Sequence, residues 1–201
     1  MQQNLSALRM QSRSIKAFSC AFFDLLDDIP CEKITVSMLL KKSGYSRTAF
    51  YSNFNDKYDF IDAIMENEVA CHVHAIHDTI VEKRNALLED DMYLPALQLF
   101  QHAYEQQKLY HAMFSGKIEG WSTDAFSQKC ACYFAKNIHI FPVSDELNVE
   151  MYRYVSTIQY LTYIMYWDKM NYSYTPQYMA KQVALIIKLN RRELLQTMEA
   201  L

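Results

Sequence analysis

Apolar residues along this chain recur at spacings of three and four, the period of a helix surface and not of a pleated strand. From Arg13 to Leu26 the set Ile15, Ala17, Phe18, Ala21, Phe22, Leu25 and Leu26 falls on one face, and Asp28-Ile29-Pro30 ends the pattern. Thr35 then stands at an N-cap position ahead of Val36, Leu39 and Leu40. That second segment stops at Ser43-Gly44, because glycine takes the positive φ that closes a helix abruptly. Two residues later Ser46 offers another cap and opens Arg47 to Phe54, with Phe50 and Phe54 four apart and facing inward. Two short helices joined by so tight a turn predict a helix-turn-helix unit.

The pattern continues downstream. Asn55-Asp56 caps a long helix with apolar positions at Phe60, Ile61, Ile64, Met65, Val69, Val73, Ile76 and Ile80. The charged break Glu89-Asp90-Asp91 and then Pro95 precede a helix from Pro95 to Phe114, and Ser115-Gly116 to Gly120 is the clearest loop. A helix carrying Phe126, Cys130, Tyr133 and Phe134 follows. Pro142 with Ser144-Asp145 marks a stop and a new start before Leu147 to Lys169, and Thr175-Pro176 announces a last helix from Gln177 to Met198, since proline at the first helical position loses no hydrogen bond. The expected fold class is all-α with about nine helices: residues 1–57 form a helix-turn-helix unit and residues 58–201 a larger helical domain.

Composition agrees with this reading. About half of the 201 residues are apolar, enough for a sizeable core, while three Gly and four Pro supply few of the turns an all-β or multi-loop α/β chain needs. The net charge of −3 excludes a histone-like polyanion binder, but it is unevenly placed. Residues 1–57 hold eight Lys/Arg against five Asp/Glu, a balance of +3 that leaves −6 for the remainder. A basic small end on an acidic body fits a protein that touches phosphates only with its N-terminal part. Five scattered cysteines without disulfide-scaffold spacing, no signal-type N-terminus and no run of 18 apolar residues lead us to expect a cytoplasmic protein with no membrane contact.

Within the helix-turn-helix, the second helix is the element that enters a major groove, where base edges present distinguishable donors and acceptors. By spacing, Arg47, Thr48, Ala49 and Asn53 project outward: Arg47 toward guanine, Asn53 toward adenine, Thr48 or Ala49 toward a thymine methyl. The Thr35 and Ser46 hydroxyls, Tyr51 and Lys57 suit phosphate, which positions the helix without reading sequence. Taken in order, Thr35, Gly44, Ser46, Phe50-Tyr51, Phe54 and Lys57 closely resemble the DNA-binding signature of the TetR family of transcriptional regulators. Leu40 and Ser43, where that family usually has small alanines, and Asn53, where histidine is common, depart from it. The segment Tyr160 to Met170 with Tyr174 to Ala180 is similar to the last two helices of a branch that includes the dihydroxyacetone kinase regulators.

The resemblance implies a homodimer on a palindromic double-stranded operator, usually a repressor, released by a small-molecule effector. It implies a dimer interface on the last two helices, for which Ile158, Leu161, Met165, Val183, Ile186 and Ile187 are the candidates. It also implies an effector pocket, for which Phe100, Tyr104, Met113, Phe126, Tyr133, Tyr160 and Tyr163 are the candidates. No cofactor is expected. The rival reading is a co-regulator of the same fold that acts mainly through a protein partner. His72, His74 and His77 beside Cys71 raise the thought of a metal, but His72 points away from the other two on a helix, so no metal site is expected. Cys130 and Cys132 fall on different sides of a helix and read as core thiols. No phosphate loop, nucleophile elbow or paired carboxylates in a recognisable context appear, so an enzyme is not expected.

Overall fold

The computed structural model describes residues 12–82, 93–137 and 148–199, with the side chains of residues 76–82, 95 and 190–199 left undescribed. Among these residues the structure is all-helical, with no strand and nine α-helices. They are α1 (Arg13–Leu26), α2 (Val36–Ser43), α3 (Arg47–Tyr51), α4 (Lys57–Glu82), α5 (Tyr93–Glu105), α6 (Gln107–Phe114), α7 (Thr123–Asn137), α8 (Val149–Lys169) and α9 (Pro176–Glu199), with a short 3₁₀ turn at Cys31–Lys33. The charged break at residues 89–91, the Pro142 and Ser144-Asp145 signals, Leu147, and the side chains of Ile76, His77, Ile80 and Leu194 lie outside the described residues.

Helix boundaries follow local chemistry. Ser12, Thr35, Ser46 and Asn148 each accept a backbone N–H from three residues on, which satisfies a donor that the first turn leaves unpaired. Thr175 does the same for Tyr178, ahead of Pro176. Asp56 accepts from the N–H groups of Tyr58 and Asp59 at 2.8 and 2.9 Å, and the Asp59 carboxylate returns to Asn55. Gly44 ends α2 at φ 74°, with its own N–H on the Leu40 carbonyl.

Two departures from the sequence reading have physical causes. The segment Pro95 to Phe114 is two helices, broken at Gln106 (φ −104°, ψ 20°), although no Gly or Pro stands there. The break lets α5 lie along α4 and α9 while α6 turns toward α1 and α8. Leu99, Phe100 and Ala103 before it and Leu109, Tyr110 and Met113 after it are thereby all buried. The third helix stops at Tyr51, not Phe54, yet Phe54 stays buried because its N–H still reaches the Phe50 carbonyl.

The core is continuous from end to end. At its N-terminal end the rings of Phe18, Phe22, Phe50, Phe54 and Phe60 meet edge-on or tilted at centroid distances of 5.2–5.8 Å. Such pairs contribute about 0.5–1.5 kcal/mol each beyond the area they bury. Phe60 belongs to α4, so the long helix shares in the packing of the three helices before it.

Further along α4 a polar cluster is buried. Tyr110 donates its hydroxyl to Glu68 at 2.7 Å, and His102 Nε2 lies 2.7 Å from the same carboxylate oxygen. Tyr110 has spent its single proton on Glu68, so it accepts at 2.9 Å from Nδ1–H of His72, which fixes the tautomer of that ring. Burial, with the charge of His102, pushes His72 down to about 3, so it is neutral near pH 7. Burial also opposes charge on His102, but hydrogen bonding and attraction to Glu68 outweigh it and raise its pKa. The histidine run therefore divides: His72 is wholly buried, while His74 is exposed and pairs with the Tyr133 hydroxyl at 3.0 Å.

Candidate nucleic-acid interface

The turn from α2 to α3 is built by three local devices in the seven residues from Gly44 to Phe50. Gly44 reverses the chain with nothing within 4 Å of where a Cβ would stand. Ser46 restarts it, its Oγ accepting from the Ala49 N–H at 3.2 Å. Phe50, fully buried against Phe18, holds the short α3 to the core by its inner side. Five residues of helix have no stability of their own, so this packing and the cap hold α3 in place.

On the outer side, Arg47 and Thr48 are exposed, and among the described residues the Arg47 guanidinium bonds only to the Ser37 hydroxyl at 3.3 Å, also at the surface. Tyr51 is 47% exposed, its ring set edge-on against Phe50 at 5.4 Å. The Thr35 and Ser46 oxygens use lone pairs to cap their helices, which leaves each O–H proton to donate elsewhere. All five residues are exposed, and the Arg47–Ser37 bond joins the start of α3 to the first turn of α2.

The other three predicted contacts sit differently. Ala49 is half-buried and packs against the core. Asn53 Nδ2 turns back onto the helix end, donating to the Ala49 carbonyl at 2.9 Å and to Ser52 Oγ at 3.2 Å. Because α3 ends at Tyr51, Asn53 lies past the helix and its amide closes the last turn. Lys57 directs its ammonium to the carbonyls of Cys31, Glu32 and Ile34, each at 2.9 Å, so all three N–H donors hold the 3₁₀ turn to the start of α4. Sequence reasoning passed over two neighbours. Ser37 meets Arg47, and Tyr45 is 37% exposed in the turn with its ring edge on Phe18 at 5.6 Å. An aromatic residue directly after the turn glycine was the signal for Tyr45.

The N-terminal unit is tied to the body through Asp24 of α1. Its carboxylate pairs with Lys108 of α6 and stands 3.7 Å from Lys42 of α2. Hydrogen bonding to Lys108, against a smaller effect of burial, holds Asp24 below the ordinary carboxylate range.

The interface candidates on the last two helices divide by burial. Leu161 and Val183 are in the core of this chain, and Met165 and Ile187 are half-buried. Ile158 and Ile186 are exposed, and so are Met151, Val155, Tyr166, Leu185 and Leu189, which extend an apolar surface along both helices. The pocket candidates mostly fill space. Phe100, Met113 and Phe126 are buried, Tyr104 stacks on Trp167 at 5.6 Å, and Tyr133, Tyr160 and Tyr163 are half-buried. A cleft does open elsewhere, between α1, α6 and the end of α8, and none of these seven residues lines it. Among the described residues, no cluster of metal-ligating groups occurs and no helix is long and apolar enough to cross a membrane.

A short helix-turn-helix at the head of an all-helical body defines the architecture. A solved structure of the same architecture, the dihydroxyacetone kinase operon activator DhaS, superposes on 90% of this chain and 97% of its own with a TM-score of 0.53 at 16% identity. A likeness at that identity establishes the fold. No family model and no curated protein sequence matches the chain.

Proposed function

We propose that this protein is a DNA-binding transcriptional regulator that works as a homodimer, with residues 1–57 as the reading unit and residues 58–201 as the dimerisation and effector domain. The observation that carries the reading is the exposure of Thr35, Ser46, Arg47, Thr48 and Tyr51 on a helix-turn-helix held rigid by its phenylalanine core. Arg47 and Thr48 reach base edges; Tyr51 and the two cap hydroxyls take phosphates. The exposed apolar stripe on α8 and α9 supports pairing with a second copy, since a monomer rarely leaves so much apolar surface contiguous. Two reading units would then face half-sites about 34–36 Å apart. An effector that shifts α4 changes that separation and releases the operator, as in repression.

The test is selection of bound DNA from a random pool, followed by affinity measurements with Arg47→Ala and Tyr51→Phe and by sedimentation of Leu189→Glu. We expect a palindrome, at least tenfold weaker binding in Arg47→Ala, and a shift of Leu189→Glu toward monomer. Undiminished sequence-specific affinity in both reading-unit variants removes these roles. A second reading, a co-regulator acting mainly through a protein partner, is favoured by the inward turn of Asn53 and Ala49, which leaves few base-reading groups. Selection that returns no sequence preference supports it.

A further inference from the structure

We propose that the cleft between α1, α6 and the end of α8 is a binding site for a small anion bearing a carboxylate or phosphate group. The cleft measures about 270 Å³, the size of a metabolite with few heavy atoms. Its apolar side is Phe23 and Leu26 of α1 with Ala112 of α6.

The charges around it decide the ligand. Lys108 pairs with Asp24 and also faces Asp27, and His111 Nδ1 lies 3.1 Å from Asp168. Asp24, Asp27 and Asp168 thus each face a basic group, with Lys108 shared between the first two. Lys117 is left over: it lines the cleft, is half-buried, and its ammonium makes no ion pair or hydrogen bond among the described residues. Gly116 at φ 65° and the Lys117 N–H on the Ala112 carbonyl at 2.9 Å fix that lysine at the end of α6. An ammonium at the cleft with no counter-ion of its own is free to form a charge-assisted hydrogen bond to an arriving anion.

Two further features converge on the same place. The side-chain amides of Gln107 and Asn171 line the cleft and make no hydrogen bond among the described residues, so both are available to a ligand's oxygens. Asn171 and Tyr172, also in the lining, both hold φ 50°, a left-handed state that non-glycine residues adopt at an energetic cost and that recurs at ligand clamps.

The site also adjoins the tie between body and reading unit. An anion shared by Lys117 and Lys108 competes with Asp24 for Lys108, and Asp24 is the group that also faces Lys42 of α2. This regulatory consequence rests on the proposed DNA-binding function; the binding itself does not.

The experiment is calorimetric titration of the full chain with sodium lactate and, separately, inorganic phosphate, at ionic strength matched with sodium chloride. We expect saturable binding of at least one probe, weakened at least tenfold in Lys117→Gln and unchanged in Lys181→Gln, whose lysine lies exposed on α9. The Lys117 ammonium has no ion pair or hydrogen bond to lose among the described residues, so an unchanged melting temperature verifies that its variant is folded. Saturation by lactate alone assigns a carboxylate ligand, and by phosphate alone a phosphate ligand. No saturable heat from either probe, or equal affinity in Lys117→Gln, overturns the site. Saturable binding that leaves operator affinity unchanged keeps the site and removes the regulatory link; failure of operator binding in free protein strikes the DNA-binding reading alone.

Discussion

Replacing Lys57 by methionine separates two roles for this residue, because the stem is kept and only the charge and its donors go. In the structure the ammonium makes three hydrogen bonds at 2.9 Å, and two of the accepting carbonyls, Cys31 and Ile34, are part-buried while that of Glu32 is exposed. A hydrogen bond to a charged group contributes about 1.5–3 kcal/mol. Water re-pairs the Glu32 carbonyl at little cost, so two bonds count, and they share one ammonium and add incompletely. Removing a cation from the positive end of α4 returns about 0.3–1 kcal/mol. The net loss expected is about 2–4 kcal/mol, a large share of a stability that is ordinarily about 5–15 kcal/mol. Urea titration of both proteins at one concentration measures it as a lower midpoint with an unchanged slope. Operator affinity against salt gives the second readout. A lysine on phosphate would cost about 0.9 of the log–log slope per protomer, about 1.8 for the proposed homodimer, when removed, whereas a clamp on carbonyls leaves the slope as it was. A stability change below about 0.5 kcal/mol, together with a slope lower by about 1.8, would refute the clamp.

Two other outcomes follow from features already described. Gly44→Ala should lose about 1–2 kcal/mol, read as a lower melting temperature, because alanine at φ 74° is strained although its Cβ meets nothing. His102 has a raised pKa in the folded state, so its pairing with Glu68 stabilises fully below the unfolded value near 6.5, and that contribution fades as pH climbs through the raised value. Melting temperature against pH should therefore fall across that window in the wild type more steeply than in His102→Gln. Identical profiles in the two proteins would deny the pair any part in stability.

The elements that could be read from the chain were those whose causes are local. Thr35, Ser46 and Thr175-Pro176 cap within three residues of themselves, Gly44 needs only its own φ, and the phenylalanine spacing sets one helix face. What the chain concealed was assembled over distance. Lys57 finds its carbonyls 23 to 26 residues back, and nothing near it foretells them. The break at Gln106 serves packing on four other helices and carries no punctuating residue. Asn53 is expected to face outward on the premise that α3 runs on to Phe54; the helix ends three residues earlier, and in the structure the Asn53 amide closes its last turn. The cleft joins residues from the first helix, the sixth and the turn after the eighth, which no periodicity brings together.

Phe60 has one more consequence. Its ring packs against Phe22, Phe50 and Phe54, which couples α4 to the three helices before it, the reading unit of the proposed function. At 26 residues α4 is about 39 Å long at 1.5 Å of rise per residue. A tilt of about 5° about its far end then sweeps α3 sideways by about 3 Å, close to the rise of one base pair. In the proposed regulator the phenylalanine cluster would be the weld at the tip of a lever, turning a small push in the body into a step that a DNA groove could feel.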